Sequence, residues 1–279
     1  MSRVAFVVHE GREQAVRTAN ELREELERDG VDTWIARTPD DVRDDPSDLV
    51  VSVGGDGTFL RAAHVAAEID CPVLGVKVGR LGFLTETEPG SGAARLVRAA
   101  LEGHARIDER LAVLARPDEG SSSFPAQWAM NEVMVEKRSR HRLVRLAVHV
   151  DDAYVTTFSA DGVIVATPTG STAYSFSARG PIVSPTVSCL VLTPIAAHMV
   201  FDRSFVLGAA QVVSLEVVGD EPAIVSADGR EGIELAIGSR VRIAAAPRPA
   251  RLVVAEDARS FLTRVREKFG LPGDVGDAG

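Results

Sequence analysis

The chain has 279 residues, 45% of them apolar, enough to bury two moderate cores, so two domains are expected. Its 31 basic and 40 acidic side chains leave a net charge of -9, which excludes a general electrostatic grip on nucleic acid or on an anionic membrane; any polyanionic ligand needs a local site. Cys71 and Cys189 stand far apart without the CxxC spacing that would suggest a metal or redox pair, and read as two buried free thiols.

Residues 4–9 (VAFVVH) form an apolar run without alternation, the pattern of a parallel strand covered on both faces. Its five apolar residues before Glu10 are too few for a leader or an anchor. Val16, Ala19, Leu22 and Leu26 then recur at helical spacing, and Gly30 sits where that helix ends. Strand-like 31–36, apolar 49–53, helical 58–68, apolar 72–78 and helical 93–101 continue the alternation. Residues 1–105 therefore read as an α/β domain with a parallel sheet.

Beyond Ile107 the rhythm changes. Val144, Leu146, Val148 and Val150 alternate with Arg145, Ala147 and His149 at the period of a half-buried strand. Further strand candidates at 153–158, 162–167, 211–218, 231–237, 240–245 and 251–255 make 106–256 an all-β, sandwich-like domain, with 118–123 (DEGSSS) as an exposed loop. The apolar stretch 189–201 contains Pro194 and His198 and falls short of the about 20 residues a spanning helix needs. A soluble, cytoplasmic protein is expected. Residues 257–279 read as a C-terminal helix and a frayed tail after Pro272. Phe261, Leu262, Val265 and Phe269 form one helical face, expected to pack back on the N-terminal domain.

Two segments carry chemistry. Val53-Gly54-Gly55-Asp56-Gly57-Thr58 follows an apolar strand and opens a helix, so backbone donors and the helix N-terminus can face a phosphate. Asp56 would repel that phosphate unless a metal or a proton transfer is involved. The structural alternative is a tight turn in which Asp56 or Thr58 caps the helix. The loop is neither a Walker loop nor a GxGxxG fingerprint. The second segment, Asp161–Ile182, brings a strand into TPTGSTAY at 167–174, whose hydroxyls offer closely spaced donors with room for a ring or sugar; a polar turn is the plain alternative.

Together these segments resemble the NAD kinase family. GGDGT at 54–58, LGFLTE at 81–86, Asn131-Glu132, DG at 161–162, TPTGSTAY at 167–174, GPI at 180–182, TPI at 193–195 with His198 after it, and Asp228-Gly229 follow the family's order. GGDGT alone is also similar to motifs of phosphofructokinases and of diacylglycerol and sphingosine kinases. The resemblance implies a two-domain α+β fold and phosphorylation of the 2′-hydroxyl of the adenosine ribose of NAD. The implied donor is ATP or polyphosphate, with Mg²⁺ as the divalent cofactor.

It implies Asp56 as catalytic carboxylate and general base. The implied dinucleotide site adds Gly57, Asn131, Glu132, Asp161, Thr172, Ala173, Tyr174, Ser175, Phe176 and Ser177, with Phe83 and Asp228 lining it. Arg61 and Arg142 are candidates for guanidinium contacts to phosphate. The family further implies a ligand site between the domains and a homodimer or homotetramer. Lys77, Arg179, Arg230 and AAH at 196–198 depart from its pattern. A lipid or sphingoid kinase and a non-catalytic NAD-binding regulator are the competing functions.

Overall fold

Alternating apolar runs and amphipathic spacing build the first of two units, residues 1–109 with 250–279; the second is 110–249. The computed structural model describes residues 2–42, 46–79, 82–85, 87–118, 121, 123–199 and 201–272. The tail expected beyond Pro272 lies outside them, as do 119, 120 and 122 of the expected 118–123 loop and Leu81 and Glu86 of LGFLTE. Among the described residues no helix is long and apolar enough to cross a membrane.

In the first unit, β1 (Arg3–Val8), α1 (Glu13–Arg28), β2 (Asp32–Ile35), β3 (Leu49–Gly54), α2 (Asp56–Ile69), β4 (Val73–Lys77) and α3 (Ser91–Leu101) alternate as expected. The sheet order is β2-β1-β3-β4-β18-β5, where β5 is Arg106–Arg110 and β18 is Ala250–Val254. The pairs β1–β2, β1–β3, β3–β4 and β4–β18 are parallel. Phe6, Val51, Val53 and Leu74 on one face join Leu22 and Leu26 of α1 and Val97 of α3 in a single core. α2 packs nearest β3, and a Cβ at Gly75 would stand 2.8 Å from the Phe59 ring of α2. α1 ends as its sequence requires, with Gly30 at φ 79°.

The 251–255 run differs from its sequence reading: β18 pairs with β4 in the parallel sheet and not with the all-β strands before it. The chain then closes with α5 (Phe261–Phe269), capped by Ser260, whose hydroxyl accepts the Thr263 N–H at 3.2 Å, and by Gly270 at φ 62°. Val265 is buried on the packed face, whereas Leu262, expected beside it, is 71% exposed. Residues 261, 265 and 269 fall four apart, and 262 turns outward.

The second unit stacks two six-stranded sheets. One runs β10-β9-β14-β17-β6-β7, from Ala153–Ala160, Val144–Val150, Val213–Val218, Arg240–Ala245, Val113–Pro117 and Gln127–Ala129. The other runs β13-β12-β11-β8-β15-β16, from Phe205–Gly208, Cys189–Ile195, Gly162–Ala166, Glu132–Lys137, Ala223–Ala227 and Ile233–Leu235. Val133, Val135, Val163 and Val165 of one sheet bury against Leu146, Val148, Leu215 and Ile243 of the other. Between β11 and β12 the chain forms a short 3₁₀ turn, Gly170–Thr172, and one helical turn, α4 (Tyr174–Ser177).

Candidate active site

β1 leads towards β2 on one side and pairs with β3 on the other, so the sheet order reverses there. In open α/β sheets, ligands bind in the crevice outside the carboxyl ends of strands at such a reversal. A cavity of about 530 Å³ opens at that place, lined by His9–Arg12 after β1 and by Gly55–Thr58 and Arg61 after β3. Gly54 and Gly55 let the chain turn from strand to helix; a Cβ on Gly54 would stand 2.5 Å from the Thr58 hydroxyl. The first-turn N–H groups of α2 border the cavity, and Arg61 Nη2 reaches the Val8 carbonyl at 2.9 Å.

The capping alternative for Asp56 does not hold. The N-cap of α2 is Gly55 and receives no side-chain bond, while Asp56 is already helical. Its carboxylate turns to the 82–85 loop instead. Oδ2 accepts the Phe83 N–H at 2.8 Å, and Oδ1 accepts the Leu84 N–H at 3.1 Å and the Thr85 hydroxyl at 3.4 Å. Gly82 makes this approach possible, since a Cβ there would stand 1.9 Å from Oδ1. A carboxylate offers about four lone-pair sites, so these three donors leave one for a further hydroxyl, on Oδ2.

His9, Glu10, Gly11 and Arg12 escaped the sequence reading. His9 Nδ1 is buried without a hydrogen-bond partner, and Arg12 Nη1 binds the Val78 carbonyl at 3.1 Å. Their signal was their place, directly after the first strand. Phe83 is engaged by α5, its ring centroid 6.4 Å from that of Phe261 and 5.9 Å from that of Phe269.

In the second unit a polar turn gathers several of the remaining candidates. Asp228, at φ 49°, accepts the backbone N–H groups of Met130 and Asn131 at 2.8 Å each and of Glu132 at 3.2 Å. Both its oxygens thus build the Asn131-Glu132 turn. Thr167 donates its hydroxyl to the Met130 carbonyl at 2.6 Å and accepts the Gly170 N–H at 3.1 Å. A Cβ on Gly170 would stand 2.1 Å from the Asn131 carbonyl, which fixes the TPTGSTAY segment against that turn. Thr172 and Ala173 are half-buried there, and the buried Ser175 hydroxyl pairs with Thr193 at 3.1 Å.

Glu132 is the electrostatic outlier. Burial, reinforced by the neighbouring Asp228 carboxylate and partly offset by the Tyr174 N–H, pushes its carboxyl up to about 8. Its Oε2 is buried without a partner. Tyr174, whose N–H reaches Glu132, is exposed, as are Phe176 and Ser177 further along α4. Asp161 lies at the other end of β11, about 16 Å along the strand from Ala166, and pairs with Lys137. Arg142 is engaged elsewhere, with Glu221 at 2.6 Å and Asp220 at 3.7 Å. Neither belongs to the turn around Glu132.

Among the described residues no three His, Cys, Asp or Glu side chains gather as a metal cage. Mg²⁺ is commonly held by one or two carboxylates together with substrate phosphates. Glu10 and Asp56 are the carboxylates lining the cavity.

Comparison with known proteins assigns this architecture. Residues 33–105 match the ATP-NAD kinase N-terminal domain and residues 130–255 the ATP-NAD kinase C-terminal domain. The NAD kinase of Symbiobacterium thermophilum is 38% identical over 282 residues, spanning 96% of this chain and 99% of its own. That of Heliobacterium modesticaldum is 43% identical over 80% of this chain and 78% of its own. An NAD kinase from Archaeoglobus fulgidus, solved with ATP, superposes with a TM-score of 0.74 at 28% identity over 96% of this chain and 97% of its own. Yeast NADH kinase, solved with NADH, shares the fold with a TM-score of 0.83 at 23% identity, over 98% and 89%.

The chain is thus a phosphotransferase acting on a hydroxyl group. It belongs to the NAD kinase family.

Proposed function

We propose that the protein transfers the terminal phosphoryl group of ATP or polyphosphate to the 2′-hydroxyl of the adenosine ribose of NAD, with Asp56 as general base. The observation that carries this reading is Asp56 itself, which lines the cavity at the switch point and whose carboxylate is held by the 82–85 loop with one lone-pair site left on Oδ2. A ribose hydroxyl is a poor nucleophile near neutral pH, and a fixed carboxylate orients it and accepts its proton. As the 2′-oxygen bonds to phosphorus, the bond to the bridging oxygen of the donor breaks and the hydroxyl proton passes to Asp56.

The α2 N-terminus, Arg61 and Arg12 hold the donor phosphates, and His9 Nδ1 supplies a further polar contact. Glu10 is the cavity carboxylate that would hold Mg²⁺, which would offset phosphate charge when bound. The relative solved with ATP supports a nucleotide donor, and the one solved with NADH supports a dinucleotide acceptor.

The second unit holds the dinucleotide through Asn131, Glu132 and the 172–177 turn. Glu132 is protonated near neutral pH and able to donate from its unpartnered oxygen to a ligand acceptor. Asp161 is a further dinucleotide contact, and the functional form is the homodimer or homotetramer usual for the family.

The test is incubation of the purified protein with NAD, Mg²⁺ and either ATP or polyphosphate, with enzymatic detection of NADP, beside diacylglycerol and a sphingoid base as acceptors. NADP formation far faster than lipid phosphorylation is expected. Equal or faster lipid turnover contradicts the reading.

A further inference from the structure

Of 31 basic side chains only Lys77, Lys137 and Lys268 are lysines, and each is paired with a carboxylate: Glu88, Asp161 and Asp56 respectively. Lys268 lies in the last turn of α5. Its Nζ is 3.8 Å from Asp56 Oδ2 and 5.0 Å from the centroid of the Phe83 ring. Cation–π attraction and the carboxylate together fix the ammonium above the loop that binds Asp56.

The rest of the α5 face holds the same loop. Phe261 and Phe269 flank the Phe83 ring, and Arg264 Nη1 donates to the Phe83 carbonyl at 2.7 Å, across 181 residues of sequence. Phe83 and Leu84 in turn give their N–H groups to Asp56. α5 therefore reaches the carboxylate by two routes: through the loop backbone and through a direct charge contact.

The cavity's carboxylates are Glu10 and Asp56, and Arg37 already pairs with Glu10 at 3.2 Å. An ammonium at 3.8 Å offsets one of them, and at that separation it need not occupy the hydrogen-bonding site left on Oδ2. Lysine suits this as a compact point charge on a flexible stem.

We propose that α5 is part of the phosphoryl-transfer site: Phe261, Arg264 and Phe269 hold the 82–85 loop, and Lys268 is the positioning residue that aims the Asp56 carboxylate and offsets its charge. This rests on the catalytic reading of Asp56. Lys268 acts through Asp56, so its removal slows turnover without weakening dinucleotide binding.

The experiment compares Lys268→Met and Lys268→Arg in the full chain, each with Asp56 intact and with Asp56→Asn, by kcat, KM for NAD and melting temperature. Lys268→Met is expected to lower kcat by about tenfold or more, as a misplaced catalytic group does, with KM for NAD within about twofold. Lys268→Arg recovers part of that loss because the charge returns. In the Asp56→Asn background, Lys268→Met changes the residual rate by less than about twofold, since coupled residues are not additive. Three results overturn the proposal: a Lys268→Met kcat within about twofold of wild type, no recovery by arginine, or an equal loss in both backgrounds. If instead Asp56→Asn alone keeps wild-type turnover, the general-base reading fails, and the single Lys268 variants still report on the helix.

Discussion

The Phe83 amide donates to Asp56 Oδ2 at 2.8 Å, joining the first residue of α2 to a loop 27 residues further along the chain. This bond and its neighbour from Leu84 make the carboxylate a bracket between a helix N-terminus and that loop, and the fit is tight. Gly82→Ala would drive a methyl into Oδ1, which stands 1.9 Å from where the Cβ must go. Activity is expected to fall by about 10²-fold, as a displaced catalytic group does, although every carboxylate remains. Steady-state kinetics with saturating NAD and ATP check this; an alanine variant at near wild-type rate shows that the bracket is not needed.

Glu132 ties stability to pH. Its folded-state value of about 8 lies above the ordinary carboxyl value of 4.5, so the folded protein holds a proton that the unfolded chain releases. The group's contribution is full below about 4.5, declines as pH rises towards 8 and is flat beyond. Glu132→Gln keeps the shape without the charge. It is expected to raise the melting temperature above pH 8 by at least about 3 °C, the shift that about 1 kcal/mol produces in a chain of this size, with the advantage vanishing near pH 4.5. Melting curves across that range decide it; a pH-independent difference contradicts the assignment.

Arg179 explains one departure from the family pattern as a backbone matter. It sits at φ 68°, in the left-handed region where a glycine is unstrained. Arg179→Gly is expected to relieve about 1 kcal/mol of strain, partly offset by the greater entropy of the unfolded chain. Denaturant unfolding should show a neutral to slightly stabilised variant, and a loss above about 1 kcal/mol would mean the side chain matters more than its backbone.

Tyr174 presents an exposed ring, 44% accessible, next to the N–H that serves Glu132. Stacking on a base or ribose is worth about 1–3 kcal/mol. Tyr174→Ala should therefore weaken NAD binding by roughly 5- to 100-fold, read by calorimetry, with little change in kcat. Unchanged affinity removes the ring from the site.

Much of this fold is legible in the sequence because buried parallel strands announce themselves as unbroken apolar runs, as at 49–53 and 72–78. The 251–255 run is indistinguishable by composition from the strands before it, and only its pairing with β4 places it in the parallel sheet. GGDGT was legible as a ligand loop, but what Asp56 touches was not, because its donors lie at 83–85. Arg12 and His9 carry no motif; the reversal of strand order brings them to the cavity wall. Arg142 is a candidate phosphate contact in the sequence, and its acidic partners in the turn after β14 are not visible in one dimension.

If Asp56 takes the proton of the 2′-hydroxyl, single-turnover phosphorylation of NAD by Asp56→Asn reports its loss. Asparagine keeps one acceptor oxygen but sets an amide N–H against a backbone N–H at 83 or 84, so some stability is lost, about 1–3 kcal/mol. The measurement is therefore made below the variant's melting temperature, with NAD binding confirmed on the same preparation. The expected rate is about 10²–10⁴-fold below wild type at saturating NAD, the usual contribution of a general base. A folded Asp56→Asn that binds NAD and retains most of the wild-type rate contradicts the account.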